Sequence, residues 1–389
     1  MPKFTLFIIL SIFSVYSRAA STPENATGGV SAQEPAAPIL PVESSPALDL
    51  NAFSTLEEII PELAKKRVVF IGEQHARYDH HLTQLEIIRR LHALHPQLAI
   101  GMEMFQQPFQ AHLDDYVAGK IDEQTLLRST EYYRRWRMDY RNYQPILRFA
   151  REHGLPVIAL NVPTELTRKV ADVGLDGLDE ASRLQLPDDI GPTDEDYRQR
   201  LSEIFEQHPN DRKHSFEHFL EAQLLWDEGM AGRAAAYLRA HPDDYLVVLA
   251  GNQHVAWGSA IPQRLQRRTP VTMASVLNSW DGPIGPGLAD YLLLPGERTL
   301  PPAGKLGVLL SDDEEQVTID TCTEQGACAE AGLKAGDRIT AIDEHTINDI
   351  TDLHLALWDK RPGDSISIEV VRKRFLLPAK HLHYTLVLQ

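Results

Sequence analysis

The sequence predicts an α/β chain, a doubly wound and mostly parallel sheet with helices on both faces, followed by a small β-rich domain. Two observations carry this. Four short, continuous apolar runs between residues 67 and 251 alternate with amphipathic stretches of helical period, the pattern of strands buried on both faces and crossed over by helices. Past a Pro- and Gly-rich stretch at 292–305 the pattern changes to short strands with one helical segment.

With 389 residues, 43% of them hydrophobic, the chain can bury two separate cores. Its 38 Lys and Arg against 55 Asp and Glu give a formal charge of −17. That balance excludes nucleic acid and anionic membranes as general partners, so an anionic ligand needs a local patch.

Residues 1–19 have one Lys, an apolar run and small residues at Ser17 and Ala19, as a secretory signal peptide does. The expected location is therefore periplasmic or elsewhere in the cell envelope. Residues 20–48, rich in Pro, Ala and Ser, read as a flexible tether. The α/β domain then spans 49–296, a linker 297–304 and the second domain 305–389.

The runs RVVFIG (67–72), LAIGMEMF (98–105), LPVIALNV (155–162) and YLVVLAG (245–251) are the expected strands. Leu82, Leu85, Ile88 and Leu91 recur at helical spacing after the first, YQPILRFAREHG forms a helix ending at Gly154, and a long helix covers about 213–240. In the second domain KLGVLL, EQVTIDTC, DRITAID, DSISIEVVRK and LHYTLVL read as strands, with a helix near 349–359.

Open α/β sheets bind ligands beyond the carboxyl ends of their strands. There the first strand presents Glu73 and His75, the second Glu103, the third Asn161 and the fourth Asn252 and His254. Two imidazoles and a carboxylate (His75, His254, Glu103) could hold zinc or manganese with an open position, with Glu73 or Glu103 as general base on a bound water. The alternative is that the acids pair with basic side chains and the histidines cap helices. His80 and His81 read as a solvated first helical turn, and His214, His218 and Glu221 as a weaker helical cluster. In EYYRRWRMDYRNYQP (131–145), Tyr132, Tyr133 and Tyr143 could bind ferric haem iron, or simply pack a helix onto the sheet. Cys322 and Cys328 are either a short disulfide loop or two free thiols.

The motifs FIGEQHARYDHHLTQLEIIRRL, IGMEMFQQPFQ, YRNYQPILRFAREHGLPVIALNVP, EAQLLWDEGMA and VVLAGNQHV together resemble the ChaN-type haem-binding uptake family of the Tiki superfamily, which also includes erythromycin-esterase-like hydrolases. The resemblance runs from about Asn51 to Leu294. It implies an exported iron-uptake protein that binds haem through tyrosine, with haems face to face between two protomers in a ligand-induced homodimer. The metal-dependent members of the superfamily imply instead a hydrolase of peptides or esters using Gly-x-x-His motifs and a glutamate, matched by Gly72 to His75, Glu103 and Gly251 to His254.

The second domain resembles a bacterial PDZ domain, most diagnostically in AEAGLKAGDRITAIDEHTI. The resemblance implies that Leu306, Gly307 and Val308 offer backbone N–H groups to the C-terminus of a peptide or protein, which adds a strand to the sheet edge, with His354 and Leu357 lining the groove.

Overall fold

The computed structural model describes residues 53–207, 215–311, 316–375 and 377–389. The expected signal peptide and tether, and His214, lie outside the described residues.

The first domain is a six-stranded, all-parallel sheet. Its strands are β1 (Val68–Glu73), β2 (Leu98–Gln106), β3 (Val157–Asn161), β4 (Tyr245–Gly251), β5 (Met273–Asn278) and β6 (Tyr291–Leu293), in the order β3-β2-β4-β1-β5-β6. Alternate residues of each strand feed two cores. Val69, Ile71, Ile100, Met102, Val247 and Leu249 pack under the helices between residues 56 and 153. Val68, Phe70, Ala99 and Val248 pack under the helices Phe216–Ala240 and Ile261–Arg268. Burial on both faces is why β1 to β4 read as unbroken apolar runs, each fully buried Val, Ile or Phe contributing about 1.5–3 kcal/mol. The sequence reading missed β5 and β6: MASVLN mixes small and polar residues, and β6 is a half-buried edge strand of three residues. The long helix expected over 213–240 is present as Phe216–Ala240.

The second domain has a two-stranded sheet of β7 (Val308–Leu310) and β8 (Ile319–Cys322). A four-stranded sheet, β10-β9-β11-β12, is built from β9 (Asp337–Ile342), β10 (His345–Thr346), β11 (Ser365–Arg374) and β12 (Leu377–Val387). Leu306, Ile319, Ile339, Ile368 and Leu386 lie in its core. Buried Asp337 is clamped by the Arg372 guanidinium at 2.6 and 2.7 Å. Cys322 and Cys328 form a disulfide that closes a six-residue separation.

The helix Ile350–Ala356 joins the two domains. The His354 ring stacks on Tyr133 (4.2 Å between centroids, planes 11° apart), Trp358 lies 5.4 Å from Tyr140, and Asp352 pairs with Arg128. The sequence reading put His354 in the peptide groove. The structure turns its ring onto the first domain instead, because the residues one turn apart on the opposite side, Leu353 and Ala356, fill the core of the second.

Candidate functional site

Register brings the strand ends together. β1 pairs with β4 so that Glu73 faces Gly251, and β2 flanks β4 on the other side. Glu103 Oε2 crosses from β2 to accept the Gly251 N–H at 2.7 Å. Gly251 lies against the site: a Cβ there would sit 3.2 Å from the His75 ring, a tight contact, and 3.7 Å from Glu103.

Two carboxylate–imidazole pairs result. His75 Nδ1 donates to Glu73 Oε1 at 2.8 Å, and its Nε2 makes no hydrogen bond among the described residues; the Trp136 ring stands edge-on at 4.6 Å. His254 Nδ1 donates to Asp227 Oδ1 at 2.6 Å, and its Nε2 faces Glu103 Oε1 at 3.5 Å. A carboxylate on Nδ1 fixes ring orientation and leaves Nε2 as the chemically available nitrogen.

Glu73 is an orienting group. Its oxygens take hydrogen bonds from His75, from Tyr143 Oη (2.7 Å) and from Gln84 Nε2 (2.8 Å), and His81 Nδ1 lies 3.4 Å away. Burial pushes its pKa up, but the imidazoles of His81 and His75 and the Tyr143 hydroxyl outweigh this and hold it down at about 2. A carboxylate so acidic and so fully engaged is a poor general base, which corrects the role the sequence suggested. Burial lowers the pKa of His254 and its contacts raise it: Glu103 and Asp227 win, lifting it to about 9, so the ring is cationic at neutral pH. The His75 pKa is also raised, burial being outweighed by Glu73 and Glu103.

Several other residues fall elsewhere. Asn252 is anchored towards β5, its Nδ2 donating to Ser279 O at 3.0 Å, and Asn161 ends β3 with its Oδ1 unpartnered among the described residues. His80 and His81 are buried rather than solvated; His81 bridges Gln84 and the His75 carbonyl. Glu221 accepts the Leu175 N–H at 2.7 Å. An open groove of about 710 Å³, lined by Tyr116, Glu123, Arg148, Arg151 and Trp358 among others, lies at the domain junction and includes no strand-end residue.

Asp227 escaped the sequence reading, as did Gln84 among the partners of Glu73. The available signal was LLWDEGMAG, where two adjacent acids interrupt an apolar helix; both are buried, Asp227 on His254 and Tyr197 (2.6 Å) and Glu228 among Arg264, Arg267 and Arg268.

A family model described as haem-binding uptake, Tiki superfamily, ChaN matches residues 59–265. The chain belongs to this ChaN family. A PDZ domain model matches residues 304–379, the second domain. The structure of ChaN from Campylobacter jejuni, described by its cofacial haem binding, is 19% identical with a TM-score of 0.51, over 62% of this chain and 92% of that one; it shares the fold. Among curated relatives, an Arabidopsis thaliana chloroplast protein, RETICULATA-RELATED 5, is 30% identical over 129 residues, 31% of this chain and 17% of its own length. The HtrA serine protease of Lactobacillus helveticus is 36% identical over 50 residues, 13% of this chain and 12% of its own. This chain thus spans about a sixth or less of the curated relatives it matches.

The family implies haem, and the donors present can be tested against it. Tyr132, Tyr133 and Tyr143 do not fit an iron ligand. All three are buried, burial drives their pKa values up and so opposes the phenolate, and the Tyr143 hydroxyl is committed to Glu73. The imidazole Nε2 of His75 does fit, its opposite nitrogen being held by a carboxylate. For the zinc or manganese alternative, no three His, Cys, Asp or Glu side chains among the described residues group as a metal centre. Glu103 Oε2 accepts the Gly251 N–H, and His254 holds Asp227 through Nδ1 while its Nε2 faces Glu103.

Proposed function

We propose that this chain is an exported haem-binding protein of iron uptake, active in the periplasm or cell envelope, whose PDZ domain recruits the C-terminus of a partner protein. The single observation that carries the reading is the ChaN family match across residues 59–265, in a chain that also bears a PDZ domain. On this chain His75 Nε2, at the carboxyl end of the sheet, would hold the haem iron, with two protomers sharing a pair of haems. Bound haem supplies the iron cargo; the protein orients His75 through Glu73 and shields it with Trp136. Leu306 to Val308 form the carboxylate-binding loop. Gly307 there has φ +67° and a Cβ would fall 2.8 Å from Gly326 Cα, so no other residue fits without strain. Haemin titration of the mature protein tests the reading: a saturable Soret shift accompanied by dimerisation is expected, and no saturable change at micromolar haemin defeats it.

A second reading is favoured by the two carboxylate-held imidazoles flanking Glu103: a metal-independent hydrolase of esters or peptides. His75 Nε2 takes a proton from water, whose oxygen attacks the carbonyl while cationic His254 stabilises the oxyanion; as the intermediate collapses the scissile C–O or C–N bond breaks and the proton on His75 passes to the departing alcohol or amine. Turnover of a nitrophenyl ester that disappears in His75→Ala supports it; no turnover by the wild-type chain at neutral pH rules it out for that substrate class.

A further inference from the structure

The β11–β12 hairpin carries a patch that neither the haem site nor the peptide groove uses. Glu369 is the last acid of the chain: residues 370–389 hold no Asp or Glu, in a protein with 55 of them. The pairing of β11 with β9 ends at Arg372 opposite Asp337, whereas β11 and β12 continue to the pair Arg374 and Leu377. The hairpin tip therefore stands past the end of its neighbour strand.

What the tip presents is specific. Phe375 is 90% exposed and Leu377 59% exposed, two large apolar side chains at one apex. Lys373, Arg374 and Lys380 flank them, all exposed and with no ion pair among the described residues; Arg374 Nε donates only to Pro378 O, at 3.0 Å. Arg372, in contrast, is consumed by Asp337 and the Tyr384 hydroxyl. Single exposed apolar side chains are ordinary on a surface, but an aromatic and a leucine together at a projecting tip, ringed by unpaired cations, are not.

We propose that this tip docks the protein onto an anionic phospholipid surface, Phe375 and Leu377 entering the boundary between headgroups and acyl chains while Lys373, Arg374 and Lys380 reach the lipid phosphates. Three features favour a bilayer over a protein partner. Apolar side chains flanked by cations match the layering of an anionic interface. A stable protein interface needs about 800 Å² on each side, more than a tip of two short strand ends offers. The chain as a whole carries a formal charge of −17, so the rest of the molecule is repelled by the same surface, the molecule approaches tip first and the contact has a defined orientation.

The test is co-sedimentation of the mature full-length chain with vesicles of phosphatidylcholine alone or with a minority of phosphatidylglycerol. Binding is expected only to the anionic vesicles, and is expected to vanish in about 1 M salt, where the Debye length is about 3 Å. Phe375→Ser with Leu377→Ser, and separately Lys373→Glu with Lys380→Glu, should each weaken binding by about tenfold or more. These side chains are exposed, so circular dichroism of the variants should match wild type. Equal sedimentation with both vesicles, none with either, or variants that sediment like wild type would each overturn the proposal. Light scattering that shows wild type associating, Phe375→Ser monomeric, and neither bound to vesicles would assign the tip to a second copy of the chain instead.

Discussion

Asp227 Oδ1 accepts the Nδ1 proton of His254 at 2.6 Å, tying the middle of the helix Phe216–Ala240 to the first turn after β4. The pair is buried, and Tyr197 holds the other Asp227 oxygen. Its charge is one of the two that keep His254 cationic. Asp227→Asn should therefore lower the His254 pKa by more than one unit from about 9, read by NMR titration of the imidazole. Asp227→Ala, which also strands a buried imidazolium, should cost about 3–5 kcal/mol of stability. An unchanged His254 titration in Asp227→Asn would show that Asp227 does not set the charge.

Two of the perturbed site groups, His254 and Glu73, make stability depend on pH in opposite directions. His254 is raised from its ordinary 6.5 to about 9, so the stabilisation it brings is complete below pH 6.5 and is lost as pH rises through 9. Glu73 is depressed from 4.5 to about 2, so its contribution is complete above pH 4.5 and is lost as pH falls through 2. Each is worth about 3 kcal/mol. Urea unfolding across these ranges should show both limbs; His254→Gln should flatten the alkaline one and Glu73→Gln the acid one, and a variant that keeps its limb would refute the assignment.

How far the sequence exposed this site depends on where each residue sits. Glu73, His75, Glu103 and His254 were legible because each follows an apolar strand run, and parallel strands deliver their carboxyl ends to one rim. The buried parallel strands themselves were legible for the same reason, while β5 and β6, short and mixed in polarity, were not. Asp227 sits mid-helix, where direction depends on how the helix rolls against the sheet. Tyr143 has core spacing and is core, yet its hydroxyl reaches Glu73. Spacing gives the face a residue occupies and is silent on what its polar end meets.

The domain junction was illegible for a related reason, since helix period alone does not say which side of Ile350–Ala356 meets another domain. With His354 laid on Tyr133, His354→Ala should leave the affinity for a C-terminal peptide within about twofold, while loosening the junction by about 1 kcal/mol. Faster limited proteolysis of the 294–305 segment in His354→Ala would register that loosening. A tenfold loss of peptide affinity would return His354 to the groove.

The disulfide loop supports the carboxylate-binding loop from behind. Cys328 N–H donates to Leu306 O at 2.8 Å and Thr323 N–H to Gly307 O at 2.9 Å. Replacing Cys322 and Cys328 by serine should cost the PDZ domain about 2 kcal/mol, the entropy of freeing so short a loop, and should weaken peptide binding as the 306–308 backbone loosens. Calorimetric unfolding of the double variant, with peptide titration on the same sample, reads both; wild-type affinity in the double variant would show that the loop stands without the bridge.

The central claim is that the His75 imidazole, and not a tyrosine phenol, meets the haem iron. Haemin titration of His75→Ala beside Tyr132→Phe, Tyr133→Phe and Tyr143→Phe tests it most directly. The account predicts that only His75→Ala abolishes the wild-type Soret shift, with Tyr143→Phe merely weakening it through Glu73. A full wild-type spectrum in His75→Ala, or its loss in Tyr132→Phe or Tyr133→Phe, would contradict it.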